Sequence, residues 1–352
     1  MSATEMQELD ERRMTQDASI RVGRELTVGL VAVRSAMLVL IVAVVAYFAA
    51  TEPAFRTLDN TLTTLASVAT VGIIALGVTV SMVAGGFDLS IGANAGCSLM
   101  LCALGLVVFG LPAAVVVVLA LVAGALIGGL NALLIVRLGV PDLLATLGML
   151  FLLQGSQLLP SRGQTISTGV EIGGATYMGT FTHAFLQIGR GEVVGVPVPV
   201  VLFAVVAVGL WVLLERTVWG RMFYAVGGNA QAARLAGIRV ERVRLAAYAI
   251  SGILGALGGV ILAARIGQGD VGAGSPFLLD AVAAALVGYT VLAVNRPNVL
   301  GTAIGAVFLG VLINGLTLKS LPYYTQDFVK GVILVLALLM TFGLGRRGAG
   351  RS

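Results

Sequence analysis

Charge is the scarcest property of this 352-residue chain: Asp, Glu, Lys and Arg together make up 11% of it. Soluble domains carry about 25% charged residues, because a folded surface has to be hydrated. Histidine occurs once, at His183, which cannot build a metal or catalytic cluster alone and reads as a loop residue. The two cysteines, Cys97 and Cys102, share an apolar run without CxxC spacing, which argues against a structural disulfide or zinc site. Lysine occurs only at Lys319 and Lys330, neither in a GxxxxGK[ST] context. The chain therefore has no phosphate loop and cannot hydrolyse ATP itself. HExxH, GxSxG and clustered carboxylates are absent too, which leaves no footing for a membrane enzyme.

What fills the chain instead is apolar side chain, 58% of it, with a mean hydropathy of +1.01. One soluble core could not hide that much, whereas a bilayer takes about 20 apolar residues per spanning helix. Apolar runs fall at 28–50, 61–84, 89–109, 112–136, 143–159, 198–216, 243–266, 277–294, 298–317 and 328–344. The expected fold is an all-α, polytopic transmembrane bundle of about ten spans. The first 26 residues are polar and charged, and the run after them is too long for a signal h-region, so it reads as an uncleaved span.

The net charge of +5 comes mostly from arginines scattered between apolar runs, a pattern of orientation bias rather than nucleic-acid binding. With the N-terminus inside and ten spans, sixteen basic residues fall on the inner side. Only Arg56, Arg162, Arg190, Arg265, Lys319 and Lys330 fall outside. Both termini are then expected in the cytoplasm, as tails 1–26 and 345–352 around a transmembrane domain at 27–344. Two polar interruptions remain, an external loop at 160–197 and a cytoplasmic loop at 217–243.

Glycine, at 47 residues, is arranged for helix packing. Gly92/Gly96, Gly124/Gly128, Gly255/Gly259 and Gly301/Gly305 are small-xxx-small pairs that let helices approach closely. GGFDLSIGAN (85–94) marks a broken helix near 85–90. Asp88 can cap the helix that follows, and Ser90 and Asn94 lie near it on one side. These three either line a polar path or satisfy backbone groups at the break. An internal echo links GALIGGLNALLIVRLGVPD (124–142) with GAVFLGVLINGLTLKSLPYY (305–324), a candidate inverted repeat. Its paired Asn131 and Asn314 either face a translocation cavity or join helices. Asp280 reads as a helix cap.

The cytoplasmic loop is the most informative stretch. Asn229 is a good N-cap, Gly237 a good C′ stop, and AQAARLA between them favours a short helix of about two turns. Ala232, Ala233 and Ala236 would give it a slim surface for a partner; a linker helix lying on the membrane is the alternative. GGFDLSIGAN, NALLIVRLGVPDLLATLGML and GRMFYAVGGNAQAARLAGIRVERVRLAAYAISGILGALGGVILAARIG resemble the permeases of ribose-type sugar importers, the membrane subunits of ABC transporters. The resemblance runs from about residue 60 to about 344. It implies that Gly228, Asn229, Ala232, Ala233, Gly237 and Ile238 form the coupling element that contacts the ATPase. The chain departs from the family at GYTVLAVNRPNVLGT (288–302), where Arg296-Pro297 replaces part of a Gly-rich stretch.

The resemblance also implies the partners: a cytoplasmic ATPase subunit carrying ATP and magnesium, an external sugar-binding protein, and a second permease copy, identical or paralogous. No cofactor is expected in this chain, and beyond membrane lipids no nucleic acid. A transporter driven by an ion gradient is the alternative, although the span interiors are almost free of the charges such coupling uses.

Overall fold

The computed structural model describes Ser35, residues 37–291 and residues 296–343. The two terminal tails, the start of the first apolar run and residues 292–295 of the altered stretch lie outside these. Each of the ten apolar runs carries a helix: α1 (Met37–Thr51), α2 (Leu58–Val83), α3 (Ile91–Ala103, prolonged by a widened turn over Leu104–Val108), α4 (Ala113–Val136), α5 (Asp142–Ser161), then α7 (Val198–Arg216), α10 (Val240–Ile266), α11 (Ser275–Val291), α12 (Val299–Leu318) and α13 (Tyr323–Gly343). Among the described residues seven of these, α2, α3, α4, α5, α7, α10 and α12, are long and apolar enough to cross a membrane. The expected all-α bundle is present, and seven is the number of spans that length and composition support.

The helices sort by burial. α2, α3 and α10 are mostly buried, whereas α4 and α7 turn Val115, Val118, Val122, Leu126, Val205 and Val208 outward. Only lipid makes such an apolar exterior favourable. α10 is the mast of the bundle, in contact with α2, α3 and α4 along its length. The glycine pairs explain how. A Cβ on Gly128 would run into the carbonyl oxygen of Tyr248, and one on Gly252 into that of Gly124. In the same way Gly301 and Gly305 seat α12 on the backbone of α11 at Gly288 and Ala284. Backbone meets backbone at these crossings, so dispersion contacts replace what the hydrophobic effect cannot supply inside a bilayer.

The 160–197 loop is more ordered than its polar composition implies. It holds two short antiparallel hairpins, β1 (Val170–Ile172) with β2 (Ala175–Tyr177) and β3 (Glu192–Val193) with β4 (Val196–Pro197), and the helix α6 (His183–Arg190) between them. Gly173 and Gly174 both have positive φ, at 63° and 86°, as a tight two-residue hairpin turn requires. His183 is the first residue of α6 rather than a loop residue. Arg190, at the other end of α6, donates from Nε to the Arg265 carbonyl at 2.9 Å and from a terminal nitrogen to the Ile266 carbonyl at 2.8 Å. These are orphan carbonyls of the last turn of α10, which stops at Gly267 with φ 77°.

The crossing of α4 and α10 gives a paired test. Gly128→Val is expected to lose most of the folded, detergent-extractable protein, since overpacking a tight contact costs about 1–3 kcal/mol or more. Gly129→Ala, one residue away, meets nothing within 4 Å. It should leave the melting temperature in detergent unchanged.

Candidate functional site

Two regions gather the residues singled out by sequence. The first is the connection between α2 and α3. α2 ends at Val83, the chain turns through Gly85 at φ 78°, and α3 starts at Ile91. α2 and α3 are two helices joined by a turn in which Asp88 and Ser90 are buried and Gly85 is exposed. Gly85 lies against Gly227, and a Cβ on Gly86 would collide with Tyr248 and Asp142, so the turn fits only with glycine at both places.

Asp88, buried at 1% exposure, is the centre of a hydrogen-bond knot. Its Oδ1 accepts from the Ser90 backbone N–H at 3.0 Å and the Ser90 hydroxyl at 2.7 Å, and its Oδ2 accepts from the Ser251 hydroxyl of α10 at 2.8 Å. Asn131 of α4 donates its amide to Ser90 Oγ at 2.7 Å. α10 thus reaches the carboxylate directly, and α4 reaches it through Ser90 at the start of α3. Asn94 faces elsewhere and donates to the Gly252 carbonyl at 2.9 Å. Asn131 Oδ1 is buried without a protein partner, the one open acceptor of the knot. Ser251 has no sequence signal of its own; only the crossing of α10 over α3 identifies it.

Asn314, the partner of Asn131 in the internal echo, sits in different surroundings. It exchanges two amide hydrogen bonds with Asn60 of α2, at 3.1 and 3.0 Å, near the opposite end of the bundle. Asp280 does not cap a helix. It lies within α11 and pairs with Lys330 of α13 at 3.0 Å.

The second region is the 217–243 loop, which forms two helices. α8 (Val218–Gly228) was not visible in the sequence. It opens at Thr217, whose hydroxyl accepts from the Gly220 N–H at 3.2 Å. α9 (Ala230–Leu235) follows directly, with Asn229 Oδ1 accepting from the Gln231 and Ala232 N–H groups at 3.0 and 2.9 Å. Gly237 has φ 82°, and the Gly237 and Ile238 N–H groups close the helix onto the Arg234 and Ala233 carbonyls, both at 3.0 Å. Gly228, Asn229, Ala232, Ala236 and Gly237 are exposed, and Leu235 stands 88% exposed. Ala233 is buried among Val226, Val240 and Val243 and so fastens α9 to the bundle instead of presenting it. Ile238 is half-buried against the same cluster.

Beside this loop a cavity of about 1010 Å³ opens between Gly85, Phe87, Arg221, Tyr224 and Arg296. Asp88 is not in its wall. The Arg296 guanidinium lies 3.7 Å over the Tyr224 ring and pairs with Glu215 at 3.1 Å. Burial pushes the Tyr224 hydroxyl above its usual range, and its single proton is offered to either Glu215 Oε1 (3.2 Å) or the Pro297 carbonyl (3.0 Å). The Arg296-Pro297 departure therefore clamps α7 and α8 to the start of α12.

With a turn and loop of this geometry, comparison with known proteins is decisive. Residues 60–338 match the model of the branched-chain amino acid transport system permease component family. The chain belongs to this permease family. The ribose import permease protein of Bacillus subtilis is 37% identical over 289 residues, covering 82% of this chain and 86% of its own. The xylose transport system permease protein of Escherichia coli is 31% identical over 361 aligned residues, 88% of this chain and 92% of that one. An autoinducer 2 import system permease protein of Enterobacter is 33% identical over 307 residues, 86% of this chain and 90% of its own. No solved structure matches. The permease is a multi-pass membrane protein, and the ribose-type resemblance of its motifs holds along most of its length.

The Asp88 knot makes a stability test. Ser251→Ala leaves Asp88 Oδ2 without its donor in a buried site. It should cost about 1–3 kcal/mol, read as a lowered melting temperature of the detergent-solubilised permease. Thr61→Ala, whose exposed hydroxyl bonds the Thr57 carbonyl of the preceding turn, should move it far less.

Proposed function

We propose that this chain is the permease subunit of an ATP-driven ABC importer and forms the path for a monosaccharide or similar small polar solute. The α8–α9 unit carries the reading. It is a capped helix held rigidly by Ala233 and Ile238 at its base, with Ala232, Leu235 and Ala236 turned outward at one end of the bundle. An apolar residue as exposed as Leu235 on a fastened element is suited to insertion into a partner. A cytoplasmic ATPase is the partner proposed, with ATP and magnesium held there.

In this reading the α8–α9 end faces the cytoplasm, as the distribution of arginines favours, and both termini lie on that side. A binding protein delivers solute to the opposite end, and a second permease copy completes the pore. Sugar as the solute class is supported by the ribose and xylose permeases among the relatives. Asp88, Ser90, Asn94 and Asn131 then act beside the path, holding α3, α4 and α10 in register. Movement of α9 would reach that knot through the contact of Gly227 with Val83 and Gly85.

The caps separate the coupling role from general stability. Asn229→Ala removes the acceptor for two N–H groups, whereas Asn229→Asp keeps one, since Asp caps as well as Asn. Gly237→Leu forces a side chain into the left-handed region at a cost of about 1–2 kcal/mol. In the assembled complex, Asn229→Ala and Gly237→Leu should cut uptake and binding-protein-stimulated ATP hydrolysis about fivefold or more, a cap being worth about 1 kcal/mol. Asn229→Asp should retain both. Uptake at the wild-type rate in both damaging variants would overturn the assignment.

A further inference from the structure

At the end of the bundle opposite α8 and α9, a cavity of about 270 Å³ lies between α2, α11 and α12. Six of its twelve lining residues are polar: Thr63, Thr64, Ser67, Asp280, Asn314 and Thr317. Within spans this apolar, the feature to explain is that so many polar groups share one wall of one cavity, since each could bond its own helix equally well elsewhere. Its volume is just below the range of about 300–1,000 Å³ that holds drug-sized ligands, and it suits a solute of about a dozen heavy atoms.

The hydrogen-bond directions define what the wall can recognise. Thr64 donates its hydroxyl proton to the Asn60 carbonyl at 2.6 Å, Ser67 to Thr63 at 3.1 Å, and Thr317 to Ile313 at 2.8 Å. These three hydroxyls have their one proton committed to their own helix and offer only lone pairs to the cavity, whereas Thr63 can turn its hydroxyl either way. Asp280 adds carboxylate oxygens. The wall is therefore rich in acceptors, and its ligand must bring donors. A cation would also do so, but the charge of Asp280 is already answered by Lys330 at 3.0 Å. Arg265 reaches Ser67 Oγ at 2.9 Å from the same side. Lys330 and Arg265 stand against Asp280 and Asp327, the latter 3.4 Å from Lys330, so the charges already balance and give a further ion of either sign nothing to neutralise. A neutral molecule bearing several hydroxyls satisfies every condition.

We propose that this cavity is a binding subsite for a neutral polyol of monosaccharide size, which receives the solute at the delivery end of the permease. The proposal rests on the importer reading for its direction. Asn314 is held in place by Asn60, and Asp280 by Lys330, so the wall is preorganised before solute arrives.

The test uses the full complex of permease, ATPase and binding protein in proteoliposomes, with D-ribose and D-xylose as probes. The triple variant Thr63→Val, Thr64→Val and Thr317→Val removes three acceptors at nearly constant volume and leaves the amide and charge pairs intact. Sugar delivered per ATP hydrolysed should fall about tenfold or more, the effect of losing several hydrogen bonds of about 1 kcal/mol each. ATP hydrolysis stimulated by the binding protein should persist, whereas a folding defect would lower both. In a second arm, Thr317→Cys in a Cys97→Ser, Cys102→Ala background is treated with a membrane-impermeant thiol reagent. Labelling from the delivery side, slowed by excess sugar, is the expected result. An unchanged sugar-to-ATP ratio in the triple variant, an unlabelled cysteine, or labelling indifferent to sugar would each overturn the proposal. If the unaltered complex takes up neither sugar with ATP, the importer reading for these sugars fails, which the thiol arm distinguishes from failure of the subsite.

Discussion

The approach of α4 to α10, backbone against backbone through Gly124, Gly128 and Gly252, is the contact on which the rest of the permease depends. A bilayer offers helices little hydrophobic reward for associating, so close packing and internal hydrogen bonds have to hold them. The crossing fixes the depth and rotation of α10. Ser251, beside Gly252, is thereby brought to Asp88, and Asn131, one turn beyond Gly128, to Ser90. A side chain at either glycine would separate the helices and leave a buried carboxylate short of donors. Packing and polar satisfaction are one constraint here, met by the same few residues.

The same arrangement joins the α8–α9 unit to the interior. Gly227 touches Val83 and Gly85, and the turn they form leads within three residues to Asp88. On the other flank Arg296 grips Glu215 and Tyr224, tying α7 and α8 to α12. Displacement of α9 would therefore be felt both at the α2–α3 turn and at α12, whose far end carries Asn314 and Thr317 in the cavity at the opposite end of the bundle. Coupling of this kind needs contiguous packed elements, and these are contiguous.

Much of this was legible in the sequence where the signal was local. All ten apolar runs carry helices, Asn229 and Gly237 bound a short helix as their cap chemistry implies, and the glycine pairs mark helix crossings. What escaped was long-range. Asp88 reads as an N-cap in sequence, yet Ser90 holds that position in α3; Asp88 instead accepts from Ser90 with one oxygen and from a residue 163 positions away with the other. Asn131 and Asn314 looked equivalent in the internal echo, yet their partners lie on different helices. Thr63, Thr64 and Ser67 raised no signal, because hydroxyls inside spans commonly bond their own backbone. Only the placement of α11 and α12 beside them makes a cavity. The hairpins of the 160–197 loop were hidden by strands of two and three residues, too short for alternation to register.

The central claim is that this chain moves solute only under the control of an ATPase seated on α9. Purified permease is reconstituted into proteoliposomes alone, under an imposed proton or sodium gradient, and again with its ATPase, binding protein and ATP. Uptake of D-ribose or D-xylose is then followed in both. The account predicts uptake in the complete, ATP-supplied system and none in the permease alone at any gradient. Gradient-driven uptake by the isolated chain would contradict it.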